Sequence, residues 1–230
     1  MAFTIVVGLG RSGLGAARLL HHQGQTVVVL ERGEGPDQTS SAAQLRAEGI
    51  QVELGIPLEI NSFEPWRSDL TAVVIGPGIP WDHPTLEILR QEGVQVRGEI
   101  ELAWEALNDI PWVGITGTNG KTTVTHLLSH VLEQAGLRAP MGGNMGVSAA
   151  EMALNIKTGD LPWPDWLVME LSSYQIEAGP TLAPSIGIWT TLTPDHLERH
   201  GTLEAYRAIK HSLLQRSSLA IFNGLSLIHI

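Results

Sequence analysis

The 230-residue sequence reads as α/β: an N-terminal Rossmann-like parallel-sheet domain followed by a second domain built on a phosphate loop (P-loop). Short runs rich in β-branched residues alternate with helix-length apolar periodicities, the pattern of parallel strands joined by crossover helices. Two of the strand-to-helix junctions are glycine-rich, one at Gly8–Gly15 and one at Gly114–Thr123. Hydrophobic content of 43% and charged content of 17% belong to a folded chain with enough length for two cores.

In the first unit, Thr4 to Val7 reads as a strand, and Gly8-Leu9-Gly10-Arg11-Ser12-Gly13-Leu14-Gly15 as the turn into a helix from Ala16 to Gln23. Thr26 to Leu30 is the next strand and ends at Glu31, about where a ribose contact would sit in a dinucleotide fold. Glycines at this spacing equally suit tight helix–strand packing, so the turn alone leaves the nucleotide open. A helix ending at Gly49, a short strand at Gln51–Leu54 and an apolar strand at Leu70–Ile75 follow. Gly76-Pro77-Gly78-Ile79-Pro80 then makes a stiff turn where ligands bind in open parallel sheets. His83–Glu92 reads as a helix, Val94–Val96 as a strand and Arg97–Leu107 as a linking helix. The expected division is 1–95, a linker at 96–110, and a second domain at 111–224.

The second unit opens on Trp112-Val113-Gly114-Ile115-Thr116-Gly117-Thr118-Asn119-Gly120-Lys121-Thr122-Thr123, with Val124, Leu127, Leu128, Val131, Leu132 and Ala135 at helical spacing behind it. Backbone N–H groups of such a loop turn inward on a polyphosphate, and the helix N-terminus adds partial positive charge. Lys121 can reach terminal phosphates and the Thr122 hydroxyl can ligand Mg²⁺. The general pattern G-x-x-x-x-G-K-[ST] would put glycine at position 115, where Ile115 stands. Further on come a glycine-rich loop at 142–146, a strand at Leu167–Met169 ending on Glu170, and a strand at Ser185–Thr190. An acid leaving a strand beside a phosphate loop is placed to hold Mg²⁺, although alone it is more often solvated. Thr202–Leu214 is helical with Leu203, Tyr206, Ile209 and Leu213 on one face; Lys210 lies off that stripe, as a surface lysine would.

Composition narrows the classes. Net charge is −10 without a Lys/Arg cluster, so nucleic-acid binding is not expected as the main role. There are no cysteines, which excludes disulfides, thiol catalysis and Cys-ligated zinc. No basic leader or membrane-length apolar run is present, so a cytoplasmic protein is expected, acting as a monomer. His196 and His200 share a helical spacing, but Leu197 stands where HExxH needs Glu.

Five motifs in order carry a resemblance: Gly-Thr-Asn-Gly-Lys-Thr-Thr (117–123), Gly-Gly-Asn-Met-Gly (142–146), Glu-Leu-Ser-Ser-Tyr-Gln (170–175), Thr-Pro-Asp-His-Leu-Glu-Arg-His (193–200) and Tyr-Arg-Ala-Ile-Lys (206–210). Together they resemble the Mur ligase family of cell-wall peptide ligases, over almost the whole chain. The family's loop has its own glycine spacing, which accommodates Ile115. Asn119 and Glu-Leu-Ser-Ser-Tyr-Gln are most similar to the member that adds D-glutamate to UDP-N-acetylmuramoyl-L-alanine. Two positions depart from the family pattern: Gly76 stands where serine is usual, and Thr191 where asparagine is common.

The resemblance implies two-step amide formation with ATP and Mg²⁺, through an acyl phosphate, in peptidoglycan synthesis. It implies that Gly117, Thr118, Asn119, Gly120, Lys121, Thr122 and Thr123 hold the nucleotide. Thr122 and Glu170 would hold one Mg²⁺, and His196 a second, helped by Lys210 as a carbamate; Lys121, His196 and Lys210 would be catalytic. Gly10, Ser12, Gly13, Glu31, Arg32 and Gly78 would line the UDP pocket, with Asn144, Ser172 and Gln175 on the sugar–alanine part. The D-glutamate site is expected mainly in a further domain. The chain is accordingly expected to be a truncated gene product, inactive alone, with a non-native tail at 225–230. Rival readings are another Mur ligase, a folate-type polyglutamate ligase, an NAD(P)-binding oxidoreductase drawn from GxGxxG and Glu31, and a non-catalytic nucleotide-binding module.

Overall fold

A computed structural model describes residues 2–224, and the tail expectation at 225–230 lies outside the described residues. Among the described residues each half is built on a five-stranded parallel sheet. The first contains β1 (Phe3–Val7), β2 (Thr26–Leu30), β3 (Gln51–Glu53), β4 (Leu70–Ile75) and β5 (Gln95–Gly98), in the order β3-β2-β1-β4-β5. Its helices are α1 (Arg11–His22), α2 (Pro36–Ala47) and α3 (Pro84–Gln91). Because β1 sits in the middle with the order reversing on either side of it, the Gly8–Gly13 turn leaves the sheet at its switch point, where open α/β sheets take ligands. Neighbouring residues of β1 face opposite ways: Ile5 joins the core under α3 and Phe63, and Val6 the core that runs on into the second domain.

The linking helix α4 (Glu99–Leu107) begins after Gly98, later than expected, because Arg97 and Gly98 still pair in β5 beyond residue 95. The second sheet contains β6 (Trp112–Thr116), β7 (Met141–Gly143), β8 (Leu167–Glu170), β9 (Ile186–Trp189) and β10 (Leu219–Phe222), in the order β10-β9-β6-β8-β7. With it go α5 (Lys121–Gln134), α6 (Ala149–Thr158), α7 (Ser173–Glu177), α8 (Leu197–His200) and α9 (Leu203–Arg216). Again the central strand, β6, carries the glycine loop. Its neighbours β8 and β9 place Glu170 and Thr190 on either side of that loop.

The two sheets share one continuous core, made by α1, α4 and α6 together with Trp112, Tyr206 and Leu213. The helices come very close: a Cβ at Gly15 of α1 would lie 2.5 Å from Ser148 Oγ and 2.8 Å from the Glu151 nitrogen. At the cleft edge Arg199 donates to Asp82 of the first domain and Glu177 of the second, each at 3.1 Å. Helix α5 differs from its sequence pattern. Val124, Leu128 and Leu132 pack on the sheet, Thr125 and Ser129 are buried through bonds to Lys121 and Ala139 carbonyls, and Leu127 and Val131 stay exposed.

Candidate active site

The glycine loop is fixed from beneath by β9. Thr118 N–H donates to the Thr191 carbonyl at 2.8 Å, Asn119 N–H to Thr191 Oγ1 at 2.9 Å, and Thr190 Oγ1 to the Asn119 carbonyl at 2.6 Å. Gly117 is needed at its position: φ is +149°, and a Cβ there would be 2.0 Å from Thr190 Oγ1. Gly120, at φ +82°, turns the chain into α5, so Lys121, Thr122 and Thr123 form its first turn. Lys121 Nζ donates to the carbonyls of Gly117 (2.9 Å) and Thr118 (3.0 Å), partners that phosphate oxygens can replace.

Thr122 Oγ1 donates to Glu170 Oε2 at 2.8 Å, and Asn144 Nδ2 donates to Glu170 Oε1 at 2.8 Å. Glu170 is buried, not the solvated acid that a strand end usually offers, because these two partners take up its oxygens. It therefore joins the phosphate loop to residues 142–146, where Gly142 and Gly143 are strand, ending β7, in place of the expected loop, and Asn144, Met145 and Gly146 form the bend that follows. Thr122 and Glu170 present hard oxygen donors at a helix N-terminus, a set that fits Mg²⁺.

Lys210 overturns the surface-lysine expectation: its side chain is only 1% exposed. Helix α9 turns Tyr206, Lys210, Leu213 and Leu214 inward, and the lysine finds polar partners in the Gly117 carbonyl (3.1 Å) and Thr116 Oγ1 (3.3 Å), above the Tyr206 ring. Burial, then the neighbouring Lys121 charge, lowers its pKa to about 7. Thus the amine spends an appreciable share of its time neutral near pH 7, as addition to CO₂ requires.

His196 is the one non-glycine residue with positive φ among the described residues, at φ 52°. A left-handed histidine that begins a four-residue helix marks a constrained position. It lies between the Tyr174 and Tyr206 rings, with Asp195 and Glu198 as its acidic neighbours. Among the described residues no three His, Cys, Asp or Glu side chains come together as a metal cluster. Of the expected set, Thr122 meets Glu170, while Lys210 and His196 each lie against the Tyr206 ring. Ser173, unremarked in the sequence, bonds His200 Nε2 at 2.9 Å and ties the 170–175 segment to the 193–200 segment.

In the first domain, a cavity of about 460 Å³ is lined by Glu31, Arg32 and His83 with apolar Val7, Leu30 and Ile79 among its walls. A second, of about 310 Å³, lies over Gly10, Ser12, Gly13 and Gly78. Gly13 permits close approach there, since a Cβ would fall 2.0 Å from the Gly8 carbonyl oxygen. Glu31 is engaged at both oxygens, accepting from the Leu9 and Gly33 amides at 2.6 Å each, so it holds the glycine turn as well as lining the pocket. A third cavity, of about 200 Å³, bridges the domains between Ser12 and Pro77 on one side and Asn144 and Gln175 on the other. Ser172 and Gln175 also cap α7 reciprocally: Gln175 N–H donates to Ser172 Oγ and Ser172 N–H to Gln175 Oε1, which leaves the Gln175 amide NH₂ for the cleft.

The chain is similar to known proteins along nearly its whole length. Residues 2–98 match the MurD-like N-terminal domain of Mur ligases, and residues 115–226 match the Mur ligase middle domain. The chain is 89% identical to a UDP-N-acetylmuramoylalanine–D-glutamate ligase of Synechococcus sp. (strain CC9902), over 97% of this chain and 48% of that protein. It is 50% identical to the ligase of that name from Synechocystis sp. (strain ATCC 27184 / PCC 6803 / Kazusa), over 95% of this chain and 46% of the relative. The chain thus spans about half the length of the curated relatives it matches. In fold it is similar to the UDP-N-acetylmuramate:L-alanyl-γ-D-glutamyl-meso-diaminopimelate ligase of Neisseria meningitides, with a TM-score of 0.62 at 22% identity over 99% of this chain and 72% of that one. Matched by Mur ligase models in both its halves, and by relatives of that kind along nearly all its length, the chain belongs to the Mur ligase family.

Proposed function

We propose that the second domain binds Mg²⁺-ATP, that UDP-N-acetylmuramoyl-L-alanine lies across the cleft, and that the site serves the ATP-dependent joining of D-glutamate to that substrate's terminal carboxylate. The observation that carries this reading is the Thr122–Glu170–Asn144 chain of hydrogen bonds, which puts a phosphate loop and a cleft-lining amide on one carboxylate.

A carboxylate has no usable leaving group, so one of its oxygens attacks the γ-phosphorus of ATP and the β–γ bridging oxygen leaves with ADP. The amine of D-glutamate then attacks the acyl carbon, phosphate departs, and the amine gives up a proton. The chain's part is positioning and charge compensation. The loop amides and Lys121 hold the phosphates. Thr122 and Glu170 would hold Mg²⁺, which when bound neutralises phosphate charge. His196 would hold a second ion, with Lys210 as a carbamate beside it. Arg32 supplies positive charge in the UDP pocket, and Asn144 and Gln175 orient the sugar–alanine part. A Mur ligase that works on ATP and a UDP-linked sugar would act in the cytoplasm.

Isothermal titration tests the reading. UDP-N-acetylmuramoyl-L-alanine should bind at least about tenfold more tightly than its precursor without alanine, if Asn144 and Gln175 read that end. Equal affinities would overturn the substrate assignment, and binding of NADH in place of both would favour an oxidoreductase.

A further inference from the structure

Glu99 is a carboxylate in the interior, 2% exposed, at the first position of the linking helix α4. Its Oε1 accepts from the Ala150 amide of α6 at 2.5 Å, and its Oε2 has no hydrogen-bond partner. Such burial is costly unless the group is hydrogen-bonded, and the bond its carboxylate makes ties it to α6. What it holds is the N-terminus of α6, where the helix dipole and free amides favour a carboxylate. Burial raises its pKa to about 7, opposed by the Ala150 amide, the Ser148 side chain and the Ala149 amide.

The surroundings form a junction. Gly98 N–H donates to the Ala178 carbonyl at the end of α7, and a Cβ at Gly98 would sit 2.5 Å from that oxygen. Helix α1 crosses the start of α6 at Gly15. Arg11 Nη1, from the first glycine turn, donates to the Gly146 carbonyl at 2.8 Å. Residues 142–146 lead through Val147 and the N-cap Ser148 into α6 and carry Asn144, which bonds Glu170. The bond from Glu99 to α6 therefore lies where both halves of the bridging cleft are brought into register.

We propose that Glu99 is a positioning residue: by holding the N-terminus of α6 it sets the bend at Asn144, Met145 and Gly146 against the first domain's glycine turn and so fixes the width of the cleft between them. The consequence for ligands rests on the reading that UDP-N-acetylmuramoyl-L-alanine spans both domains. A ligand that touches two half-sites at once gains about a hundredfold or more over one that touches either alone, and loses that gain where the geometry no longer lets it reach both.

Two measurements on the chain and its Glu99→Gln and Glu99→Ala variants test this. The first is titration with UDP, which reaches the first domain, with Mg²⁺-ATP, which reaches the second, and with UDP-N-acetylmuramoyl-L-alanine, which reaches both. In Glu99→Ala the two half-ligands should stay within about twofold of wild type while the bridging ligand weakens about tenfold or more. Glu99→Gln, keeping one acceptor oxygen, should fall between. Equal loss for all three ligands, or no loss for the bridging one, would overturn the proposal. The second needs no ligand. The absence of cysteines allows spin labels at exposed Ser40 of α2 and Glu133 of α5, introduced as S40C and E133C. The interdomain distance distribution should shift or broaden in Glu99→Ala, and an unchanged distribution overturns the proposal. If wild type takes the bridging ligand no better than UDP, the substrate reading fails, while the label distances still decide the role of Glu99.

Discussion

Thr122 Oγ1 donates to Glu170 Oε2 at 2.8 Å, so the first turn of α5 and the last residue of β8 are joined where a metal-bound phosphate would lie. The bond makes the two residues one unit: each fixes the orientation of the other's side chain. Glu170→Gln puts an amide NH₂ opposite a donor, either the Thr122 hydroxyl or the Asn144 amide. Mg²⁺-dependent ATP affinity should fall by about tenfold or more, since a proposed carboxylate ligand and the orienting partner of Thr122 are lost together. Titration of ATP with and without Mg²⁺ checks it; an unchanged Mg²⁺ dependence removes Glu170 from the metal site.

Lys121→Ala should reduce ATP affinity by about tenfold or more, because charge-assisted bonds to phosphate are lost. Its present partners are the Gly117 and Thr118 carbonyls, and the loop has independent support from Thr190 and Thr191. The circular dichroism spectrum should therefore be unaltered. Native-like ATP binding by the variant would show that Lys121 does not reach the phosphates.

Arg32 lines the first-domain cavity, far in sequence and fold from the phosphate loop. Arg32→Ala should weaken UDP binding about tenfold and leave ATP affinity within about twofold of wild type. Parallel losses for both ligands would contradict separate sites.

Much of this was legible from sequence because the chemistry is tied to fixed local spacing. A strand, a glycine loop and Lys121–Thr122 at a helix start can be read from one short stretch, as can the order of five motifs. Lys210 could not be placed that way. Helical periodicity grouped Leu203, Tyr206, Ile209 and Leu213, and the inward turn of Lys210 depends on one carbonyl and one hydroxyl from β6 and its loop, far away in sequence. Glu99 is hidden for the same reason: an acid in the first turn of a helix is ordinary, and its partner lies in another domain. Glu31 shows the intermediate case, where position marked the pocket but not the two backbone amides that occupy it.

The two buried charges make opposite demands on stability, and the signs can be worked out. Glu99 has a folded-state pKa of about 7, above its ordinary 4.5. Between those values the unfolded chain releases the proton and the folded one keeps it, so this group's contribution is fully favourable below pH 4.5 and is lost as pH rises to 7. Lys210 has a folded-state pKa of about 7, below its ordinary 10.5. Above pH 7 the folded chain loses the proton while the unfolded one retains it, so stability rises with pH up to 10.5. At about 1.4 kcal/mol per pH unit, each effect reaches a few kcal/mol at most. Together they predict a minimum near pH 7 in the part of the stability curve these groups control. Urea unfolding of wild type, Glu99→Gln and Lys210→Met across pH 4 to 10 separates the two. Glu99→Gln should remove the fall on the acid side, and Lys210→Met the rise on the alkaline side. A carbamate on Lys210 would add a ¹³CO₂-derived carbamate resonance that Lys210→Met lacks. If neither variant changes its limb of the curve, the two groups titrate normally and the burial argument for both is wrong.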